Sequence, residues 1–372
     1  MRVRALTTLG FRNLADAEIA FGERITLAWG ENGAGKSNLL EALYFGLSGR
    51  SCRTSRDREA IGFERPLARV EVEVEEGTER RQFLCSVARD GERRHLVDGS
   101  EAGAEATRMR PALAVFLPDR LALVKGPPAT RRAHLDRYCS ARWPARADLR
   151  RRYGQALAQR NALLGRVRAG LAAEGSLDAW DRELALLGVE LTAIRAEAAE
   201  ALAPAFATAA TELGLDQEAT LRYRPRVEDG DPEALIVELG RRRPSDLARG
   251  FSGHGPHLDE IELEAGGRAL RRYGSQGQQR TALLALLFAE RESLLEARLP
   301  PPLMLLDDVM SELDLSRRRL LGERLQAGGG QALLTATEPD QLPAELERTE
   351  LPMREGRVIG PLEGSVDEVE AA

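Results

Sequence analysis

The chain has 372 residues, 43% of them hydrophobic, with a formal net charge of −6. That length exceeds one average domain, and the acidic balance argues against a dedicated nucleic-acid coat. No apolar run approaches the ~18 to 20 residues of a membrane span, and "MRVRALTTLGFRN" lacks the apolar stretch of a secretory signal. Cys52, Cys85 and Cys139 lie far apart with no CxxC spacing, which argues against a disulfide framework or a zinc site and for a reducing, cytoplasmic setting. Lys36 and Lys125 are the only lysines, so the positive charge is nearly all guanidinium, a group suited to bidentate phosphate contacts.

In chain order, "VRALTTL", "DAEIAF" and "RITLAWG" are short strand patterns. "ARVEVEVEE" and "RRQFLCSVARDGERRHLVDG" predict a meander that turns at Asp90-Gly91. From Ala129 to about Leu213 alanine, leucine, arginine and glutamate dominate, and Pro144 and Ser176 mark helix starts. The segment from Leu177 has helical periodicity for about 37 residues, a span of ~55 Å with a kink expected at Pro204. It is expected to form a projecting arm. Strands return from about Leu221 ("LRYRPRV", "LDEIELEAGGRAL"), followed by one strong helix and the buried strand "PLMLLDD". The predicted organisation is residues 1–128 as the first part of a head, 129–220 as a helical arm, and 221–372 as the rest of the head.

"GENGAGKS", Gly30 to Ser37, fits GxxxxGK[ST] at every fixed position and lies between a strand and an amphipathic helix pattern. Residues Gly30, Glu31, Asn32, Gly33, Ala34 and Gly35 would wrap a β-phosphate with backbone N–H groups at a helix N-terminus. Lys36 would reach the β- and γ-phosphates of ATP, and Ser37 would ligate Mg²⁺. In "LMLLDDVMSELD" a buried strand delivers Asp307 and Asp308 at its carboxyl end, where α/β sheets hold ligands. Asp307 would hold magnesium directly or through water, and Asp308 is placed as the general base that polarises attacking water. In "YGSQGQQRTALL", Ser275, Gly277 and Gln278 open a helix as a second anion-binding terminus. It carries no lysine, which suits a stretch that completes the site of a facing copy.

"SQGQQ" resembles the signature sequence of ABC-type ATPases, and "SELD" their D-loop. The 239 positions between Lys36 and Ser275 exceed the spacing in transporter ATPases and resemble the chromosome-maintenance and recombination branch. "LGFRNL", "GRSCRTSRDRE", "VFLPDRLALVKGPPATRRAHLD", "QRNALL", "GPHLDE" and "GSQGQQRT" together resemble the RecF family of bacterial replication and repair ATPases. The resemblance implies an α/β ABC-type head, with a mixed sheet and a P-loop, and an inserted helical arm. It further implies an ATP-dependent homodimer, binding to single-strand–duplex junctions and gaps, slow DNA-stimulated ATP hydrolysis, and RecR- and RecO-type partners in recombinational repair, fork restart and the damage (SOS) response.

Leu258 and Glu260 depart from the family's usual arginine and aspartate. The histidine that follows the last core strand in transporters is absent, with Ala336 or Thr337 in its place, so Thr335 and Thr337 are the candidate γ-phosphate sensors. "FLPDR" stands where transporters carry a glutamine, with Asp119 as its substitute, and Arg12 is a candidate phosphate neighbour. His254, His257 and Asp259 have a metal-like spacing but no further ligand set. Arg150, Arg151 and Arg152 are candidate DNA-backbone contacts, as are the pairs and runs at 131–132 and 241–243. An alternative reading is an ATP-gated DNA clamp or scaffold with negligible turnover, against which the Asp308 carboxylate argues.

Overall fold

A computed structural model describes residues 2–102, 111–117, 121–227, 230–327 and 329–360. The strands run β1 (Arg2–Leu9), β2 (Ala17–Ala20), β3 (Ile25–Trp29), β4 (Leu67–Glu76), β5 (Glu79–Ala88), β6 (Arg93–Val97), β7 (Ser100–Glu101) and β8 (Leu113–Phe116). They continue as β9 (Ala219–Arg224), β10 (Glu260–Ala265), β11 (Arg268–Ala269), β12 (Leu303–Leu306), β13 (Ala332–Ala336), β14 (Thr349–Arg354) and β15 (Arg357–Val358). The longer helices are α1 (Lys36–Ser48), α2 (Pro128–Arg142), α3 (Leu149–Arg168), α4 (Leu177–Glu212), α5 (Pro232–Arg249), α6 (Gln276–Glu296) and α7 (Leu315–Gln326).

The chain divides into two compact units, residues 1–118 with 300–372, and residues 119–299. The first holds two sheets. One is antiparallel, in the order β2-β1-β4-β5-β6-β7, and the other is mixed, in the order β15-β14-β3-β13-β12-β8. β4 alternates, burying Ala68, Val70, Val72 and Val74 and turning its charges outward, as a strand with one solvated face must. β12 (LMLL) and β13 (ALLTA) are buried at every position and apolar at all but Thr335, the pattern of parallel strands covered on both faces. Helix α1 shares one apolar core with both sheets, through Leu39, Leu43 and Phe45. It lies so close to β4 that a Cβ on Gly46 would come within 2.5 Å of the Val72 side chain. The meander turn expected at Asp90-Gly91 joins β5 to β6, with Gly91 at φ 100°.

The second unit differs from the predicted organisation. Its boundaries do not coincide with 128/129 and 220/221: β9–β11 and α6, expected in the head, group with the helical segment. The physical reason is packing, because α4 lies against α3, α5, α6 and β9. Helix α4 buries residues from Leu177 to Ala210, so within this unit it is a packed core helix rather than a free arm, and it runs on as one helix through Pro204.

Polar groups also hold this unit. Arg160 of the "QRNALL" stretch is 0% exposed, with its Nε 2.6 Å from Asp181 on α4 and an Nη 2.8 Å from Asp246 on α5. Asn161 accepts from the Ser252 amide and hydroxyl. Arg195 makes a two-pronged contact with Asp136 (2.8 and 3.0 Å) and reaches Asp259 at 3.0 Å. Glu260, one of the departures from the family pattern, keeps a charge contact, as Arg131 meets it at 2.9 and 3.0 Å.

Candidate functional site

Strand register builds the site. Leu306 lies opposite Leu334, and Ala336 opposite Trp29, so β12, β13 and β3 end together. Gly30 therefore begins its loop beside Ala336, whose carbonyl accepts the Gly30 N–H at 3.3 Å, and Asp307 emerges beside Thr335. The loop needs its glycines: Gly30, Gly33 and Gly35 have φ of 151°, 87° and 103°, and a Cβ on Gly30 would lie 2.2 Å from the Met353 carbonyl oxygen.

Lys36 is 8% exposed, and its Nζ donates to the carbonyls of Gly30 (2.6 Å) and Glu31 (2.9 Å), closing the loop around the ammonium. Burial lowers the Lys36 pKa, against the opposing pull of Asp308 and then Asp307. The Ser37 hydroxyl donates to Asp307 Oδ1 at 2.8 Å, and the Thr335 hydroxyl donates to the same oxygen at 2.7 Å. Asp308 stands at φ 46°, and its N–H donates to Thr335 Oγ1 at 2.9 Å. Asp308 Oδ1 is buried without a hydrogen-bond partner among the described residues. An oxygen pair from Ser37 and Asp307, hard donors of the kind magnesium prefers, fits that cation. The orphaned Asp308 carboxylate oxygen suits a water acceptor, and a glycine loop that opens α1 and encloses the Lys36 ammonium fits phosphates.

The signature stretch lies in the other unit and starts α6. Ser275 Oγ accepts from the Gln278 N–H at 3.2 Å, while Gln278 Oε1 accepts from the Ser275 N–H at 2.8 Å, a reciprocal capping box. Gln278 thus spends its carbonyl on the helix start. The Ser275 hydroxyl keeps its own proton to donate, and Ser275, Gln276 and Gly277 are exposed with N–H groups that precede the first helical bonds.

Other predicted residues are placed as follows. Asp119 lies outside the described residues. Arg12 pairs in two-pronged fashion with Glu41 at 2.9 and 3.1 Å, and Glu41 also accepts from Ser51, so Arg12 is engaged inside the unit. Thr335 is spent on the two acids, whereas Thr337 accepts from Gln341 Nε2 at 2.9 Å and keeps its O–H to donate. His257 is held between Tyr153 (2.7 Å) and the Ser252 carbonyl (3.0 Å), and burial lowers its pKa; it and Asp259 are structural. No group of three or more potential metal-binding His, Cys, Asp or Glu side chains occurs among the described residues. Arg150 reaches Asp136 at 3.0 Å, Arg151 reaches Asp148 at 3.1 Å, and Arg152 is exposed. The three cysteines are buried thiols outside any disulfide, and burial pushes those of Cys85 and Cys139 up to about 12. Among the described residues no helix is long and apolar enough to cross a membrane.

Two site residues are not assigned from sequence. Asn13 donates to the Gly33 carbonyl at 3.0 Å and accepts from Asn38 at 2.7 Å, bracing the phosphate loop from β1's end. Its signal is the "FRN" triplet. Glu41 is fully buried in α1, and its signal is a carboxylate on the helix face that otherwise packs into the core.

Fold and site together define an ABC-type ATPase head of the kind shared by SMC and RecF proteins. The family model described as "RecF/RecN/SMC N terminal domain" matches residues 2–356. The DNA replication and repair protein RecF of Anaeromyxobacter dehalogenans (strain 2CP-C) is 40% identical over 353 residues, covering 91% of this chain and 93% of that one. RecF of Heliobacterium modesticaldum is 37% identical over 362 residues, covering 92% and 95%. A solved structure of the recombination mediator protein RecF with ATP, of the RecFOR pathway, superposes with a TM-score of 0.84 at 27% identity, covering 96% of each chain. An SMC head bound to the C-terminal winged-helix domain of ScpA shares the fold, with a TM-score of 0.59 at 18% identity over 96% of each chain. The chain belongs to the RecF family.

Proposed function

We propose that this chain is an ATP-dependent DNA-binding protein of recombinational repair and replication-fork restart, and that ATP binding joins two copies of it. The observation that carries this is the meeting of Lys36, Ser37, Asp307 and Asp308 at the aligned ends of β3 and β12. ATP lies with its phosphates in the Gly30–Ser37 loop, and Lys36 exchanges loop carbonyls for phosphate oxygens. Ser37 and Asp307 hold the magnesium ion, which when bound neutralises charge on the phosphates. Asp308 accepts a proton from the attacking water. Thr337, with its acceptor side occupied by Gln341, donates to the γ-phosphate. Ser275 and the Gly277 amide of a second copy donate to that phosphate from across the interface. Hydrolysis then releases the dimer. The RecFOR setting of the solved relative and the replication and repair role of the curated one support DNA and RecR- and RecO-type partners, and gapped or junction DNA is the form assigned here to that substrate.

The test is ATP turnover by the full chain with and without gapped DNA. Slow hydrolysis that rises with DNA is expected. ATP binding with no turnover, although Asp308 is a carboxylate, would favour the clamp that hardly hydrolyses.

A further inference from the structure

We infer that Thr335 is a positioning residue that sets both acids of the site through one hydroxyl, a role that rests on the ATPase function proposed above. Thr335 is 1% exposed near the end of β13. A hydroxyl has one proton to donate and two lone pairs. Here the proton goes to Asp307 Oδ1 at 2.7 Å, and one lone pair takes the Asp308 N–H at 2.9 Å. The committed proton leaves Thr335 nothing to give a phosphate, so it is not the γ-phosphate sensor that its place in the sequence suggests. It acts on the two neighbours instead. Asp307 Oδ1 accepts both Ser37 and Thr335, which fixes which carboxylate oxygen is spent and aims the other. Asp308 occupies the left-handed region at φ 46° and ψ 34°, sparsely visited by non-glycine residues, and the bond from its N–H anchors that bend. The carboxylate of Asp308, with Oδ1 buried and without a protein partner, is thereby held at the turn. Strand register supplies the cause: Leu306 opposite Leu334 puts position 307 beside 335. A β-branched side chain with few χ1 options keeps the hydroxyl in this one place.

Thr335→Val preserves shape and β-branching but removes the hydroxyl, leaving a buried N–H unpaired. Magnesium titrations of ATP-analogue binding, together with turnover, test the role. ATP affinity without magnesium should stay near that of the unmodified chain, because Lys36 and the loop supply it. The magnesium concentration for half-saturation should rise, and kcat fall, by about 10- to 100-fold, as for residues that orient metal ligands. Thr335→Ser, which restores the hydroxyl, should recover both. If Thr335→Val does not fold, Thr335→Cys, a near-isostere with a weak donor, should show an intermediate magnesium requirement. An unchanged magnesium requirement and kcat in the folded Val or Cys variant overturns the positioning role while leaving the ATPase reading intact. Absence of magnesium-dependent ATP binding in the unmodified chain overturns both.

Discussion

Lys36 is a cation that the fold holds under strain of desolvation. Burial lowers its pKa, and Asp308 and Asp307 pull the other way. A triphosphate adds negative charge beside the ammonium and raises that value again. In the alkaline window between the two values, ATP binding should therefore take up a proton, and affinity should fall as pH rises through the lowered value. Calorimetry in buffers of different ionisation enthalpy measures the uptake, and Lys36→Met should abolish it along with binding. Binding without proton uptake at any alkaline pH would contradict the assignment. Lys36 was legible because its motif is contiguous: strand, glycines, lysine and helix follow one another within "ITLAWGENGAGKS". Thr335 was legible only as a candidate, and for a different role, because its partners come from β12, and no local pattern reveals strand register. The Arg12 pairing was illegible for a related reason, since its partner Glu41 lies on the buried face of α1, 29 positions on.

Among the elements, strands with alternating or continuous apolar patterns and the long α4 could be read directly, since their periodicity is local. What could not be read is which elements pack together. Helix α4 looked like an arm because 36 residues of helical pattern give no indication of their neighbours. The partners are α3, α5, α6 and β9, and charged residues fasten two of them. Arg160 on α3 joins Asp181 on α4 and Asp246 on α5, all fully buried. In a sequence dense with arginine it reads as one more solvated charge. Replacing it with leucine removes one charged partner from each of two buried carboxylates, Asp181 keeping Arg243 and Asp246 keeping Arg249, so Arg160→Leu should destabilise this unit by about 1–3 kcal/mol. Chemical denaturation followed by circular dichroism checks this, with Arg151→Ala, exposed on the same helix, as a control expected within ~0.5 kcal/mol. Equal stability of the two variants would contradict the bracing role. Helix α6 shows the reverse case: "SQGQQ" reads as an anion site, and its local geometry is a capping box that orders the same terminus.

At the scale of the molecule, net charge of −6 makes a general affinity for DNA improbable, so any DNA surface must be a local array of guanidinium groups. On α3, Arg150 is engaged with Asp136, which also binds Arg195, so a glutamate at 150 would damage the buried network. Arg151 and Arg152 are the cleaner probes. Arg151→Glu with Arg152→Glu should weaken binding to gapped DNA uniformly across sequences and lower the slope of log affinity against log salt. An unchanged slope would place the DNA surface elsewhere.

In the proposed dimer, ATP held by Lys36 and Ser37 of one copy is closed by Ser275 of another. Light scattering of the full chain with magnesium and ATP, compared with the Ser275→Arg variant, tests it most directly. The unmodified chain should double its mass with ATP. Ser275→Arg should bind ATP with near-normal affinity and stay at the mass of one chain, because the new cation's bulk collides with the facing nucleotide. A variant that dimerises with ATP as the unmodified chain does would show that the exposed start of α6 is a capped helix terminus and nothing more.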